Sequence, residues 1–151
     1  MTSGRTWLCA AYAVIAAGAL VATWSQNLAY LAHGPAADLG RLFLLDARVN
    51  PAARSLTADI FLVVLAAAAF MVVEARRLGM RFVWAYVIGG CLVAISVTFP
   101  LFLLARELKL ARGPAAPTAG GRLTLVDGLG LAAVTALVLW LVGFTLAGSA
   151  A

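Results

Sequence analysis

The chain has 151 residues, of which 64% are hydrophobic and 11% are charged, and its mean hydropathy is +1.02. Soluble domains are about 45–50% apolar with roughly a quarter of their residues charged, so this composition excludes a soluble globular enzyme. The net charge of +5 comes from eleven Lys and Arg residues against six Asp and Glu residues. Because these charges separate apolar runs and form no basic face with interleaved aromatics, we expect no nucleic-acid partner. We expect contact with the lipid bilayer instead.

Four apolar windows run along the chain. Residues 6–37, 82–105 and 128–151 carry no charged side chain, and residues 55–73 carry only Asp59. A helix needs about 20 apolar residues to cross a hydrocarbon core of roughly 30 Å, and helices satisfy their own backbone groups in lipid. The sequence therefore predicts an all-α, polytopic membrane protein with four transmembrane helices, at about 6–27, 55–76, 82–105 and 124–147.

The connections between these helices suggest two units. Residues 1–107 form a predicted three-helix membrane unit, followed by a Pro/Gly/Ala-rich linker at 108–123 and an appended fourth helix within 124–151. In the long first connection, Leu39, Leu42, Phe43 and Leu45 share one helical face, which predicts an interfacial amphipathic segment.

The N-terminal segment could be mistaken for a signal peptide. Arg5 precedes an apolar stretch, as in a signal peptide, but Leu20-Val21-Ala22 supplies only one of the two small residues of a cleavage site, so we expect an uncleaved first span.

Cys9 and Cys91 fall at depths that differ by roughly 9–10 Å in parallel helices, which is farther than a disulfide reaches. Both are expected to be free, buried thiols.

Basic residues give conflicting evidence on orientation. With four spans, one side holds four (Arg5, Arg76, Arg77, Arg81) and the other holds seven (Arg41, Arg48, Arg54, Arg106, Lys109, Arg112, Arg122). The raw count favours the second side as cytoplasmic, whereas the dense short loop and Arg5 favour the first. We predict a multi-pass protein of the cell membrane (plasma or inner) with both termini in the cytoplasm.

The candidate functional site is a polar pocket around Asp59 and Arg106. A carboxylate inside a span is costly and normally finds a partner. In a four-span arrangement Arg106 lies at the depth of Asp59, with Asn27 near it and Arg48 available from the first connection. Such a group could be an interhelical pair or could hold a polar headgroup. The alternative is that Asp59 simply stabilises the start of its helix.

Two further features accompany this pocket. Glu74 with Arg77 and Arg81 predicts a second polar cluster, exposed at the opposite surface and stabilising in role. Pro100 removes the hydrogen bond to the carbonyl of Ser96 and predicts a kink in the third helix.

No catalytic constellation is present in the sequence. A single histidine, His33, cannot build a multi-histidine metal or haem site, and no phosphate-binding loop or nucleophile motif occurs. We therefore expect no metal and no cofactor. The sequence favours a non-catalytic membrane component or accessory subunit, with a membrane-protein partner or a second copy as its partner. The alternative is a binder, carrier or modifying enzyme for a lipid, quinone or isoprenoid that uses Asp59 and Arg106.

The order of the polar landmarks resembles a bacterial family of small membrane proteins, Domain of Unknown Function 2834. The matching stretches are Asp46–Asn50, Ala58–Ile60, Glu74–Arg77, Trp84 and Phe99–Glu107, of which the last is the most specific. The likeness covers about residues 7–107 and omits the linker and the fourth helix. It implies a three-helix membrane unit and brings no activity, because the family has none assigned.

Overall fold

A computed structural model of the chain describes residues 3–33, 35–112 and 123–147. These residues form helices and no strands. The helices are α1 (Ser3–His33), α2 (Leu39–Asp46), α3 (Pro51–Leu78), α4 (Val83–Gly89), α5 (Ile95–Ala111) and α6 (Leu125–Leu146). A 3₁₀ turn at Ala36–Asp38 precedes α2, and a π-helical turn at Gly90–Ala94 joins α4 to α5.

Four helical segments are long and apolar enough to cross a membrane. They are Gly4–Ala32, Pro51–Leu78, Val83–Ala111 and Leu125–Leu146. The predicted all-α class with four such helices is confirmed, and the predicted amphipathic segment is α2. Most of the predicted linker, residues 113–122, lies outside the described residues.

The third apolar segment reverses direction at Ala94. Ala94 has an extended backbone (φ 178°, ψ 140°), so the helix breaks there and α5 returns alongside α4. The ring centroids of Tyr86 and Phe102 are 5.6 Å apart, although a continuous helix would separate these residues by about 24 Å along its axis. Each lies eight residues from Ala94, so Val83–Ala111 is a helical hairpin whose two ends lie together.

Two glycines make room for this reversal. A Cβ atom added to Gly90 would lie 3.0 Å from Cδ1 of Ile95 and 3.1 Å from Oγ1 of Thr98, and one added to Gly89 would lie 3.1 Å from Cγ2 of Thr98. The start of α5 therefore approaches the end of α4 more closely than side chains at these positions would permit. The reversal occurs at Ala94, six residues before Pro100, which is buried within α5. The kink at Pro100 stays a prediction.

Helix α3 is the central element of the bundle. Asn50 caps its start by accepting a hydrogen bond from the Ala53 amide (2.8 Å), and the left-handed Gly79 (φ 62°) ends it. The core consists of side chains from α3, α4 and α5: Ala68, Met71, Val72, Ala75, Val83, Val87 and Phe102. Helix α1 packs along α5, and α6 packs along α3.

The reversal also decides which chain segments share an end of the bundle. One end of the bundle contains the start of α1, the end of α3, both ends of the hairpin and the start of α6. We call it the charged end and define it by Arg5, Glu74, Arg106, Glu107 and Asp127. The opposite end contains the whole of α2 together with the end of α1, the start of α3 and the end of α6.

The cysteines are free, as predicted from their spacing. Cys9 is buried, but Cys91 is exposed, which corrects the expectation of two buried thiols. Cys91 lies in the π-helical turn, in which Gly90 is buried.

Candidate functional site

Three buried carboxylates organise the charged end. Glu74 on α3, Glu107 on α5 and Asp127 on α6 are each less than a tenth exposed. Buried charges are stable only when they are paired and hydrogen-bonded. In each case the partners are arginine side chains.

Glu74 joins α3 to α5. Its Oε1 accepts hydrogen bonds from Nη2 of Arg77 and Nε of Arg106, and its Oε2 accepts one from Nε of Arg77, each at 2.6 Å. The Arg77 contact is a two-point pair within one helix, whereas Arg106 comes from the returning arm of the hairpin. Charge-assisted bonds of this kind are among the stronger hydrogen bonds in proteins, so Glu74 holds the hairpin against α3.

Glu107 extends the network to α1. Nη1 of Arg106 donates to Oε1 of Glu107 at 2.6 Å, and Nε of Arg5 lies 3.4 Å from its Oε2. Arg106 therefore bridges two carboxylates on different helices. The start of α1 is held at the charged end by this chain of contacts.

Asp127 attaches α6 to the rest of the bundle. Nε and Nη2 of Arg76 donate to its two oxygens at 2.7 Å each, and the indole N–H of Trp84 donates at 3.2 Å. Asp127 also accepts hydrogen bonds from the amide and hydroxyl of Thr124, which completes a capping box at the start of α6. One fully buried carboxylate thus contacts α3, α4 and the cap of its own helix.

Close packing accompanies the contact between Trp84 and Asp127. A Cβ atom added to Gly130 would overlap the six-membered ring of Trp84, so the indole lies directly on the backbone of α6. Gly130 therefore lets Trp84 reach Asp127.

The predicted pair of Asp59 and Arg106 does not form. Arg106 contacts Glu74, and Asp59 lies fifteen residues earlier on the same helix, or about 22 Å away along its axis. The two were expected at one depth because the third segment was taken to cross the bundle once. Its reversal moves Arg106 to the charged end.

The other members of that predicted pocket lie at the opposite end. The guanidinium carbon of Arg48 lies 4.2 Å from the ring centroid of Phe144, and its Nε is buried without a hydrogen-bond partner. Asn27 is half-buried on α1. Asp59 is exposed on α3, and no hydrogen bond or ion pair joins it to any described residue.

The second predicted cluster is present in part. Glu74 pairs with Arg77, as the sequence indicates, but Glu74 is buried rather than exposed. Arg81 is not part of this cluster and lines a separate groove with Lys109 and Arg112.

Four residues that form ion pairs at the charged end were not predicted as site residues from the sequence: Arg5, Arg76, Glu107 and Asp127. One local signal was available, because Thr124-x-x-Asp127 before an apolar run is a capping-box pattern. The contacts of Arg76 and Glu107 depend on which helices are neighbours, which no local pattern gives. Among the described residues, no group of three His, Cys, Asp or Glu side chains is arranged to hold a metal ion.

Comparison with known families gives one result. A family model described as a protein of unknown function, DUF2834, matches residues 11–108. The match covers α1 to α5, including Glu74, Arg106 and Glu107, and ends before α6. No curated protein and no solved structure matches the chain.

Proposed function

We propose that this chain, which belongs to the DUF2834 family of proteins of unknown function, is a non-catalytic component of a membrane assembly that binds a membrane-embedded partner through the Asp59 face of α3. The observation that carries the proposal is an exposed carboxylate within an apolar helix. The proposal is also supported by the fit of the helices to a membrane, by the pairing of the buried carboxylates with arginines, and by the surroundings of Asp59.

The dimensions of α3 fit a bilayer. Arg54 and Glu74 are twenty residues apart, which is about 30 Å along a helix and equals the thickness of a hydrocarbon core. Large apolar side chains between them, including Ile60 and Val63, are about half exposed, as lipid contact requires. Arg106 lies level with Glu74, so the tip of the hairpin at Ala94 reaches about halfway into the core.

The charge distribution favours one orientation. Among the described residues, seven basic ones lie at the charged end (Arg5, Arg76, Arg77, Arg81, Arg106, Lys109, Arg112), and three lie at the opposite end (Arg41, Arg48, Arg54). The positive-inside rule then puts the charged end in the cytoplasm. The start of α1 and the end of α6 lie at opposite ends of the bundle. The proposed orientation therefore has the start of α1 in the cytoplasm and the end of α6 on the other side, and it differs from the expectation of two cytoplasmic termini.

The chemistry of the charged end favours a structural role. Glu74, Glu107 and Asp127 are each held by at least one arginine at 2.7 Å or less. A general acid or base needs a group that is free to exchange a proton with a substrate. These carboxylates hold helices together instead.

The position of Asp59 indicates that its carboxylate binds a partner. It lies five residues beyond Arg54, about 7 Å inside the apolar span. A carboxylate at that depth is costly unless a cation or hydrogen-bond donor faces it. Leu56 and Val63, three residues before and four residues after Asp59, are also exposed, so the surface around the carboxylate is apolar apart from the exposed Ser55. A partner helix with one basic or amide side chain among apolar ones matches this face.

The experiment is native mass spectrometry of the protein extracted from its own membrane in mild detergent. Wild type is expected to appear as a complex with a second membrane protein or a second copy, and Asp59→Leu is expected to release the monomer. Asp38→Leu is the matched control, because Asp38 is a carboxylate outside the span with Arg41 nearby at 3.7 Å. A monomeric wild type, or a complex that survives Asp59→Leu unchanged, would refute the proposal.

The alternative of a lipid, quinone or isoprenoid pocket required Asp59 and Arg106 to face each other. Asp59 lies near the start of α3, whereas Arg106, on α5, lies level with the end of α3 and is already bonded to two carboxylates. That pocket therefore has no support as a functional site in this fold.

A further inference from the structure

A groove at the charged end is lined by three basic residues without carboxylate partners. Arg81 from the α3–α4 turn, and Lys109 and Arg112 from the end of α5, surround a volume of about 450 Å³. No acidic residue lines the groove. Among the described residues, none of the three basic side chains takes part in an ion pair.

The distribution of charge pairs explains why this groove is positive. Four arginines at the charged end (Arg5, Arg76, Arg77, Arg106) engage the three buried carboxylates there. The remaining three basic residues at that end are the ones that line the groove. Three of the four neighbouring positive charges are thus balanced by carboxylates, whereas the positive charge of the groove has no acidic residue beside it.

The groove also has an apolar wall. Tyr86, Ala105 and Leu108 line it beside the basic residues. Phe82, at its edge, has a left-handed backbone (φ 61°) and a side chain that is 80% exposed. A bulky residue rarely adopts this conformation, which here projects an aromatic ring outward at the depth of the interface.

We propose that this groove binds the phosphate headgroup of an anionic phospholipid of the cytoplasmic leaflet. Arg81, Lys109 and Arg112 contact the phosphate, and the apolar wall with Phe82 lies along the upper part of the acyl chains. Arginine and lysine are the side chains that bind phosphate, and basic residues at the membrane surface attract anionic lipids. The inference rests on the membrane placement proposed above and is independent of any partner at Asp59.

The test measures lipid retention by native mass spectrometry. Purified protein is incubated with phosphatidylglycerol or with phosphatidylcholine of the same acyl chains. Wild type is expected to retain phosphatidylglycerol preferentially, and the variant Arg81→Gln/Lys109→Gln/Arg112→Gln is expected to lose this preference, at roughly fivefold per cation removed. Arg41→Gln is the control, because Arg41 is an exposed arginine at the opposite end.

Additional measurements distinguish a lipid phosphate from free phosphate, and the lipid proposal from the partner proposal at Asp59. If excess inorganic phosphate displaces phosphatidylglycerol completely, the groove binds free phosphate and the lipid assignment fails. Equal retention of both lipids by wild type overturns the proposal without reference to any variant. Asp59→Leu is expected to retain phosphatidylglycerol fully, so loss of a partner and loss of lipid are read from different variants.

Discussion

Nε of Arg106 donates a hydrogen bond to Oε1 of Glu74 at 2.6 Å, although a third helix that crossed the bundle once would place these residues at opposite ends. The contact forms because the chain turns back at Ala94. It brings the end of α5 to the end of α3 and leaves Asp59 without the partner that sequence reasoning assigned to it.

The first prediction compares the contributions of Glu74 and Asp59 to stability. Glu74→Gln removes the negative charge shared by Arg77 and Arg106, and should lower the free energy of unfolding by about 1–3 kcal/mol. Arg106 keeps its contact with Glu107, so its own charge stays partly compensated. Asp59→Asn should not lower the free energy of unfolding, because no described residue pairs with Asp59 and the change removes a charge from an apolar helix face. Unfolding of the purified monomer by a denaturing detergent measures both. A larger loss for Asp59→Asn than for Glu74→Gln would show that the assignment is reversed.

A second prediction concerns the attachment of α6. Asp127→Ala leaves the guanidinium of Arg76 and the indole N–H of Trp84 without their acceptor and removes the capping box. The expected loss is about 3 kcal/mol in the free energy of unfolding. Asp38→Ala is the control and should have little effect, because its contact with Arg41 is exposed and 3.7 Å long. Equal stability of the two variants would contradict the role assigned to Asp127.

Packing between Trp84 and α6 gives a third prediction. Gly130→Ala introduces a methyl group that overlaps the indole of Trp84, and should cost about 1–3 kcal/mol by overpacking. Gly128→Ala and Gly143→Ala, on the same helix, place a methyl group in open space and should be neutral or slightly stabilising. Thermal unfolding of the three variants checks this. A Gly130→Ala variant as stable as the other two would mean that Trp84 does not rest on α6.

A fourth prediction addresses the turn of the hairpin. Gly90→Val adds atoms where a Cβ atom alone would already lie 3.0 Å from Ile95 and 3.1 Å from Thr98, so it should destabilise the protein by about 1–3 kcal/mol. Gly18→Val in α1, where a Cβ atom meets nothing within 4 Å, is the control. If both substitutions cost the same, the close approach at Gly90 plays no part in the reversal.

Much of the fold could be predicted from the sequence because hydropathy alone indicates long apolar helices. The spans predicted at 55–76 and 124–147 correspond to Pro51–Leu78 and Leu125–Leu146. The segment at 82–105 also has the hydropathy of a span, and it is the one that reverses. Gly89 and Gly90 permit the reversal, because a Cβ atom at either position would lie 3.1 Å from Thr98 of the same segment. Only the tertiary pairing of α4 with α5 distinguishes these cases.

The candidate site was harder to predict for the same reason. Asp59 is the one charged residue between Arg54 and Glu74 on α3, and Glu74 pairs with Arg77 as predicted. The partner of Arg106 depended on an assumed depth, and depth along a hairpin runs in the opposite direction from depth along a single crossing. The positions of Arg106, Lys109 and Arg112 at the charged end all follow from the reversal at Ala94.

The reversal is therefore the central claim, and a distance between spin labels tests it most directly. With Cys9 and Cys91 replaced by serine, labels are attached at Phe82→Cys and Leu108→Cys, two side chains that line the same groove. In one continuous helix these positions would be roughly 39 Å apart. Pulsed electron paramagnetic resonance on the protein in lipid nanodiscs is expected to give less than half of that distance. A single distribution centred near the full helical length would show that the third segment crosses the bilayer once and would contradict the account.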